Sequence, residues 1–268
     1  MKLALAQIEI EPADVDGNVE RATEAIARAA AGGADCVALP EIFDVGYFAF
    51  DAYARHAQPI GGETHRAIRA AAIEHDVAVL AGTVVEDLEA SAAAGESVPE
   101  SDGLANTAVL FDSDGDRKLT YRKHHLFGYD SAEAELLAPG ETLPTAELCG
   151  HTVAVTTCYD LRFPELYRRL LDAGATMVLV PSAWPYPRVE HWKLLPRTRA
   201  LENLLYVGAV NGSASFEDAD LVGRSAVYDP WGTPIAASDD PPTIVRADCP
   251  PERVSAVREE FPALDDRR

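Results

Sequence analysis

Lysine is almost missing from this sequence. It occurs only at Lys2, Lys118, Lys123 and Lys193, and arginine supplies the rest of 23 basic residues set against 44 acidic ones. The formal charge of −21 argues against nucleic acid or an anionic membrane as a partner. Acid surplus with scarce lysine points to a salt-rich, halophilic habitat, where a carboxylate surface stays hydrated. Cysteine is sparse and scattered: Cys36, Cys149, Cys158 and Cys249 form no C-x-x-C and no Cys/His ligand spacing. Neither a disulfide framework nor a zinc site is expected. No apolar run approaches the length of a membrane span. The first ten residues alternate like a strand and lack the long apolar segment of a signal peptide, so the expected location is cytoplasmic. With no P-loop, dinucleotide fingerprint or H-E-x-x-H, neither nucleotide nor metal chemistry is expected.

What is present suffices for a full core: 268 residues, 47% of them hydrophobic. Leu3 to Ile10 reads as a strand, followed by a helix from about Asn18 to Ala31, capped by Asp16 or Asn18 and stopped by Gly32-Gly33. Asp35 to Pro40 is a short buried strand whose end delivers Glu41. An aromatic loop from Phe43 to Ile60, a helix from Glu63 to His75 and a strand from Val77 to Val84 come next. Asp87 to Gly103, built largely of Ala, Glu and Ser, reads as a solvated loop. Ala105 to Phe111 and Lys118 to Tyr121 flank a hairpin turn, and Lys123 follows. Met177 to Pro181 is a strand, Val189 to Asn203 a helix and Leu204 to Val210 a strand. A hairpin (Leu221 to Tyr228, Ile235 to Ala237), a strand (Thr243 to Ala247) and a short helix close the chain. Strands and helices alternate without a break in composition, which predicts a single α/β domain over 1–268 with a C-terminal arm from about 250.

The stretch from Thr152 to Leu171 organises the rest. Val153 to Thr157 is a buried strand; the helix beyond it opens at Pro164, with Glu165 in its first turn and Arg168 and Arg169 toward its end. Cys158 stands at the junction, where backbone N–H groups and a helix N-terminus favour thiolate and can hold an oxyanion. The competing reading is a buried structural cysteine. Glu41, Lys123 and Cys158 each lie within two residues of the C-terminal end of an apolar strand, the edge where ligands collect in α/β sheets. A thiol nucleophile, a carboxylate that moves its proton and an ammonium that holds an oxyanion form a workable acyl-transfer set. Taken alone, Glu41 could equally cap a turn, and Lys123 could be a surface charge. Of the adjacent His124 and His125, one is expected to pack and the other to be solvated.

Glu41 in L-P-E, Lys123 in Y-R-K-H-H-L-F and Cys158 in T-C-Y-D-L-R-F-P-E-L-Y resemble the carbon–nitrogen hydrolase (nitrilase) superfamily. Pro139-Gly140, Pro181-S-A-W, His191-Trp192, Arg199-A-L-E-N and Gly223-R-S-A-V-Y-D-P-W-G extend the resemblance over almost the whole chain. It implies a four-layer α-β-β-α sandwich, a homodimer through outer helices, and thioester chemistry without metal or organic cofactor. Glu41 would be the general base and acid, Cys158 the nucleophile, and Lys123 with the Tyr159 amide the oxyanion holders. Glu133 matches the position of a second carboxylate better than Glu135.

Trp184-P-Y-P-R-V-E-H-W is most similar to the ω-amidase branch, which hydrolyses the terminal amide of 2-oxo dicarboxylic monoamides. N-carbamoyl amino acids, deaminated glutathione and aliphatic amides are the alternatives on the same triad. A non-catalytic binding protein on the same fold is the reading from another class. A small carboxylated substrate needs a cationic anchor, supplied by Arg162 or Arg188, although Arg162 could instead pair with Glu165 or Asp160. Phe43, Tyr47, Phe127 and Trp184 are candidate pocket walls, and Glu202 and Asn203 are expected to hold a helix end. An activated Cys158 would react with thiol reagents ahead of the other cysteines, with an acid-shifted pH profile.

Overall fold

Side chains alternate across the first strand and so define the layers. In this computed structural model, which describes residues 1–129 and 131–267, β1 (Lys2–Gln7) turns Leu3 and Leu5 one way and Ala4 and Ala6 the other. The same sheet holds β2 (Cys36–Ala38), β3 (Ala78–Leu80), β4 (Val84–Asp87), β5 (Leu104–Phe111), β6 (Arg117–Arg122) and the late strand Thr243–Asp248. The second sheet comprises β7 (Thr145–Leu148), β8 (His151–Val155), β9 (Met177–Ser182), β10 (Tyr206–Asn211), β11 (Ala226–Tyr228) and β12 (Pro234–Ala237), which makes Thr243–Asp248 β13.

Leu3 and Leu5 meet Val153, Val155 and Leu179 in an apolar layer between the two sheets. Ala4 and Ala6 face Ala22, Ala25 and Ile26 of α1 (Val15–Ala31) on the other side. Two short helices, α2 (Tyr53–His56) and α4 (Leu88–Ala93), flank this half, and α3 (Glu63–Glu74) packs beside α1. In the second sheet Val178 and Val180 turn outward onto Leu166 and Leu170 of α6 (Pro164–Asp172) and Trp192 of α7 (Val189–Asn203). The intervening α5 is a single turn, Glu133–Leu136. The result is the α-β-β-α sandwich. At Gly208 of β10 the missing side chain makes room for the facing sheet: a Cβ there would lie 2.8 Å from Leu3 Cδ2. Beyond β13, Val254 and Val257 of α8 (Glu252–Glu260) are buried against the body.

Strands β1, β2 and β3 run parallel, as do β8, β9 and β10. Such strands are covered on both faces, which is why they read as continuous apolar runs. Their carboxyl ends deliver Glu41 after β2, Cys158 after β8 and Ala183 after β9. Strand β6 is antiparallel to β5, itself antiparallel to β3, so Lys123 emerges at the same edge.

Three local expectations change. The strand expected over Val77 to Val84 is split at Gly82, where φ is +46° and a Cβ would lie 2.0 Å from the Pro40 carbonyl oxygen. Only glycine lets the chain pass so close beside the loop that carries Glu41. The segment read as a solvated loop contains α4, capped by Asp87 through the Ala90 N–H at 2.9 Å, with Leu88 and Ser91 buried. Helix α1 is capped by Asp14, while Asn18 is buried and donates to the carbonyls of Glu11 and Asp44.

His65 on α3 gives the fold an acid sensitivity. Burial lowers its imidazole pKa to about 4, against an ordinary value of 6.5. Between those values the unfolded chain binds the proton and the folded chain does not, so stability falls as pH drops from 6.5 toward 4. His65→Gln preserves an acceptor for the Gly61 N–H and should remove this acid sensitivity, worth roughly 3 kcal/mol at full effect. Urea titrations at pH 7 and pH 4.5 should show wild type losing ground to the variant at the lower pH. Parallel losses in both proteins would contradict this.

Candidate active site

Cys158 opens a 3₁₀ turn, Cys158–Arg162, between β8 and α6, with φ at +44°. Left-handed backbone at a non-glycine residue costs about 1–3 kcal/mol and persists only where its surroundings enforce it. Asp160, wholly buried, does much of that: its carboxylate accepts from the Thr157 N–H at 2.9 Å, the Tyr121 hydroxyl at 2.6 Å and the His125 N–H at 3.0 Å. His125 Nδ1 lies 2.7 Å from the same carboxylate. On the other side, the Arg199 guanidinium of α7 donates twice to the Leu161 carbonyl, at 3.0 and 2.8 Å. The turn is thus pinned to the Lys123 loop and to α7 at once.

Behind the thiol lies a buried ionic cluster. Lys123 Nζ donates to Glu41 Oε1 at 2.8 Å and to both oxygens of Glu133, at 2.7 and 2.9 Å. Asn106 of β5 donates to Glu41 at 2.8 Å and to Glu133 at 3.1 Å, tying the two carboxylates together. Glu41 also accepts from the Ala183 N–H at 2.9 Å, a contact that crosses from one sheet to the other. Glu133 accepts from the Tyr47 hydroxyl at 2.9 Å and the Phe127 N–H at 2.7 Å. Gly140 explains the Pro-Gly that follows the lysine segment. Its N–H donates to the Lys123 carbonyl at 2.9 Å, and a Cβ there would lie 2.1 Å from the Arg122 oxygen.

Burial opposes the charge on Lys123, but Glu133 and Glu41 outweigh it and hold the ammonium well above the ordinary lysine range. Burial raises Glu41 above 4.5 and Glu133 adds to this, while Lys123 pulls the other way. Burial and the Glu41 charge push the Cys158 thiol well above 9.0, against the opposing pull of Lys123 and the Ala183 N–H. Burial and the Glu41 charge thus favour the thiol form of Cys158 over the thiolate. This corrects the expectation of a stabilised thiolate with an acid-shifted profile, because burial and Glu41 outweigh the local turn. A base adjacent to a neutral thiol can take its proton during attack, and a fixed ammonium can meet the oxygen that becomes negative.

The carbon–nitrogen hydrolase family model matches residues 2–259. The chain belongs to the carbon–nitrogen hydrolase family. Among its relatives, the 2-oxoglutaramate amidase of Paenarthrobacter nicotinovorans is 34% identical over 88% of this chain and 79% of that protein. The crystal structure of Saccharomyces cerevisiae Nit3, of branch 10 of the nitrilase superfamily, superposes with a TM-score of 0.86 at 30% identity, over 98% of this chain and 94% of that one. An amidase variant from Nesterenkonia sp. AN1, carrying an acrylamide adduct on its active-site cysteine, superposes at 0.82 with 27% identity, covering 98% and 99%. The chain is thus a hydrolase of non-peptide carbon–nitrogen bonds.

In this hydrolase the cavity above Cys158 is narrow, about 40 Å³, and Lys123 and Tyr159 border it. Tyr47, Phe127 and Trp184 line it, and so do Arg162 and Arg188. Arg162 pairs with neither Glu165 nor Asp160 among the described residues; it lies over the Trp184 ring at 5.3 Å and its Nη2 is 3.1 Å from His191 Nδ1. Phe43 is not a pocket wall, because it is sealed in the layer beneath α1. Glu133 is in the cluster, whereas Glu135, two residues along α5, is exposed. His124 stacks on Tyr121 and His125 on Phe163, and neither borders the cavity. Glu202 and Asn203 hold the end of α7, Glu202 through Arg199 at 2.6 Å and Asn203 through the Arg199 carbonyl at 2.8 Å. Sequence reading missed Asn106 altogether and saw Asp160 only as an ion-pair option. The available signal for Asn106 was a lone amide inside the apolar run L-A-N-T-A-V-L-F.

Proposed function

We propose that this hydrolase releases ammonia from the terminal amide of a small carboxylated substrate, of the 2-oxo dicarboxylic monoamide type, through an acyl-enzyme on Cys158. The observation that carries the substrate class is a cavity bordered by the Cys158 thiol and by two arginines, neither paired with a carboxylate among the described residues. A relative named for 2-oxoglutaramate supports it. Glu41 takes the thiol proton as sulfur bonds to the amide carbon, and the oxygen, now negative, is held by Lys123 and the Tyr159 N–H. Glu41 returns the proton to nitrogen, the C–N bond breaks and ammonia leaves. Water then attacks the thioester with Glu41 again as base; the carboxylate product departs and the thiol is restored. Glu133 and Asn106 keep Lys123 and Glu41 in register.

The same proposal takes the protein to be a cytoplasmic homodimer from a salt-rich source. Leu194 and Leu201, 60% and 49% exposed on the outer side of α7, support pairing through outer helices. Four free cysteines fit a reducing compartment, and the charge of −21 fits high salt. Ammonia release in molar salt across 2-oxoglutaramate, 2-oxosuccinamate, N-carbamoyl amino acids and aliphatic amides tests the substrate class. Wild type should favour the 2-oxo acid amides. Arg162→Gln should raise KM for them about 10- to 100-fold and leave a neutral aliphatic amide unchanged. Equal kcat/KM for carboxylated and neutral amides in wild type would overturn the reading.

A further inference from the structure

We infer that Arg188 is a specificity residue that makes the cavity accept amides of 2-oxo acids and reject the corresponding amides of 2-amino acids. This rests on the substrate class proposed above. The two compounds differ at one carbon: the first carries a carbonyl oxygen beside its carboxylate, the second an ammonium. Both offer the same terminal amide to Cys158, so the discrimination must come from the far wall of the cavity.

That wall is cationic at two points. Arg162 lies over the Tyr159 and Trp184 rings, 5.9 and 5.3 Å from their centroids, and its Nη2 is within hydrogen-bond distance of His191. Arg188 is placed differently. Its carbonyl is pinned by the Trp184 indole N–H at 3.0 Å and by the Trp192 N–H at 3.1 Å, which fixes the backbone at the head of α7. Its guanidinium lies over Phe127 at 5.7 Å and has no hydrogen-bond or carboxylate partner among the described residues. In a chain with 44 acidic side chains, a cavity-wall guanidinium with no carboxylate partner among the described residues is free to receive an anionic ligand.

The charges decide what it can receive. Glu41 and Glu133 against Lys123 leave one surplus negative charge at the reacting end, and Arg162 balances it. A monoanionic substrate then enters without excess charge only if a second cation is present, which Arg188 supplies. Among the described residues that border the cavity there is no carboxylate to receive an ammonium. An amino acid amide would place its cation against two guanidiniums, an unfavourable like-charge contact. A 2-oxo oxygen in the same place accepts a charge-assisted hydrogen bond.

The test compares wild type, Arg188→Gln and Arg188→Lys on 2-oxoglutaramate, glutamine and a neutral aliphatic amide. Arg188→Gln should lower kcat/KM for 2-oxoglutaramate about ten-fold relative to the neutral aliphatic amide, and raise that for glutamine on the same scale. Arg188→Lys keeps the charge and should preserve the preference for the oxo acid. An unchanged ratio of the two carboxylated amides in Arg188→Gln would overturn this inference while leaving the broader substrate class standing. Loss of activity on all three amides together would also overturn it, as a sign of general disruption. Failure of the broader class shows separately, as wild-type indifference between carboxylated and neutral amides.

Discussion

Cys158→Ala is expected to reduce amide hydrolysis by on the order of 10⁴-fold or more, while the protein stays folded. The size follows from the kind of group removed. Glu41, Lys123 and the turn amides have nothing to act on once no atom bonds to the acyl carbon, so the cluster fails as a unit. The fold should tolerate the change because the thiol lies at the cavity floor, where sulfur contributes little to packing. Alanine also meets the same +44° φ, held by Asp160 and Arg199 rather than by the side chain at 158. Steady-state ammonia release and a thermal melt check both halves. Residual turnover within ten-fold of wild type would exclude Cys158 as the nucleophile.

Lys123→Met is expected to damage stability as well as rate. The lysine side chain is 1% exposed, and its charge compensates two fully buried carboxylates at 2.7–2.8 Å. Removing one partner of a buried ionic set costs about 3–5 kcal/mol, far above the contribution of a surface pair. The loss should also acquire a pH dependence. Without the ammonium, burial and the neighbouring Glu133 charge act on Glu41 unopposed and raise its folded-state pKa further. A raised carboxylate contributes stability below its unfolded value near 4.5, and that contribution disappears as pH rises through the folded value. The variant should therefore lose more relative to wild type at pH 8 than at pH 5 in urea titrations. A loss below 1 kcal/mol, equal at both pH values, would contradict the assignment of Lys123 as the charge that holds the pair.

The parts of the site that sequence reading reached share one property, that local pattern reports on them. Glu41 and Cys158 follow short apolar runs that read as buried strands, and Lys123 stands out because lysine is so scarce. What escaped depends on contacts between distant segments. Asn106 earns its place through Glu41, 65 positions away, and Asp160 through Tyr121, 39 positions away. The thiol's proton affinity was misjudged for the same reason: turn amides are local, whereas the desolvating walls and the Glu41 charge arrive from other strands. Helix α4 was hidden by composition, because an Ala- and Glu-rich segment suits a solvated loop and a capped helix equally. Phe43 sits in an aromatic loop whose Tyr47 and Phe48 border the cavity, and only the packing of α1 over it separates the two roles.

The central claim is that sulfur of Cys158 carries the acyl group between two half-reactions. Intact-mass analysis of enzyme acid-quenched milliseconds after mixing with excess 2-oxoglutaramate, followed by peptide mapping, measures that species. The account predicts a mass gain equal to the acyl group, one per active site, on the peptide containing Cys158, formed together with a burst of ammonia. Full ammonia release with no adduct at any time point, or an adduct that survives in Cys158→Ala, would contradict it.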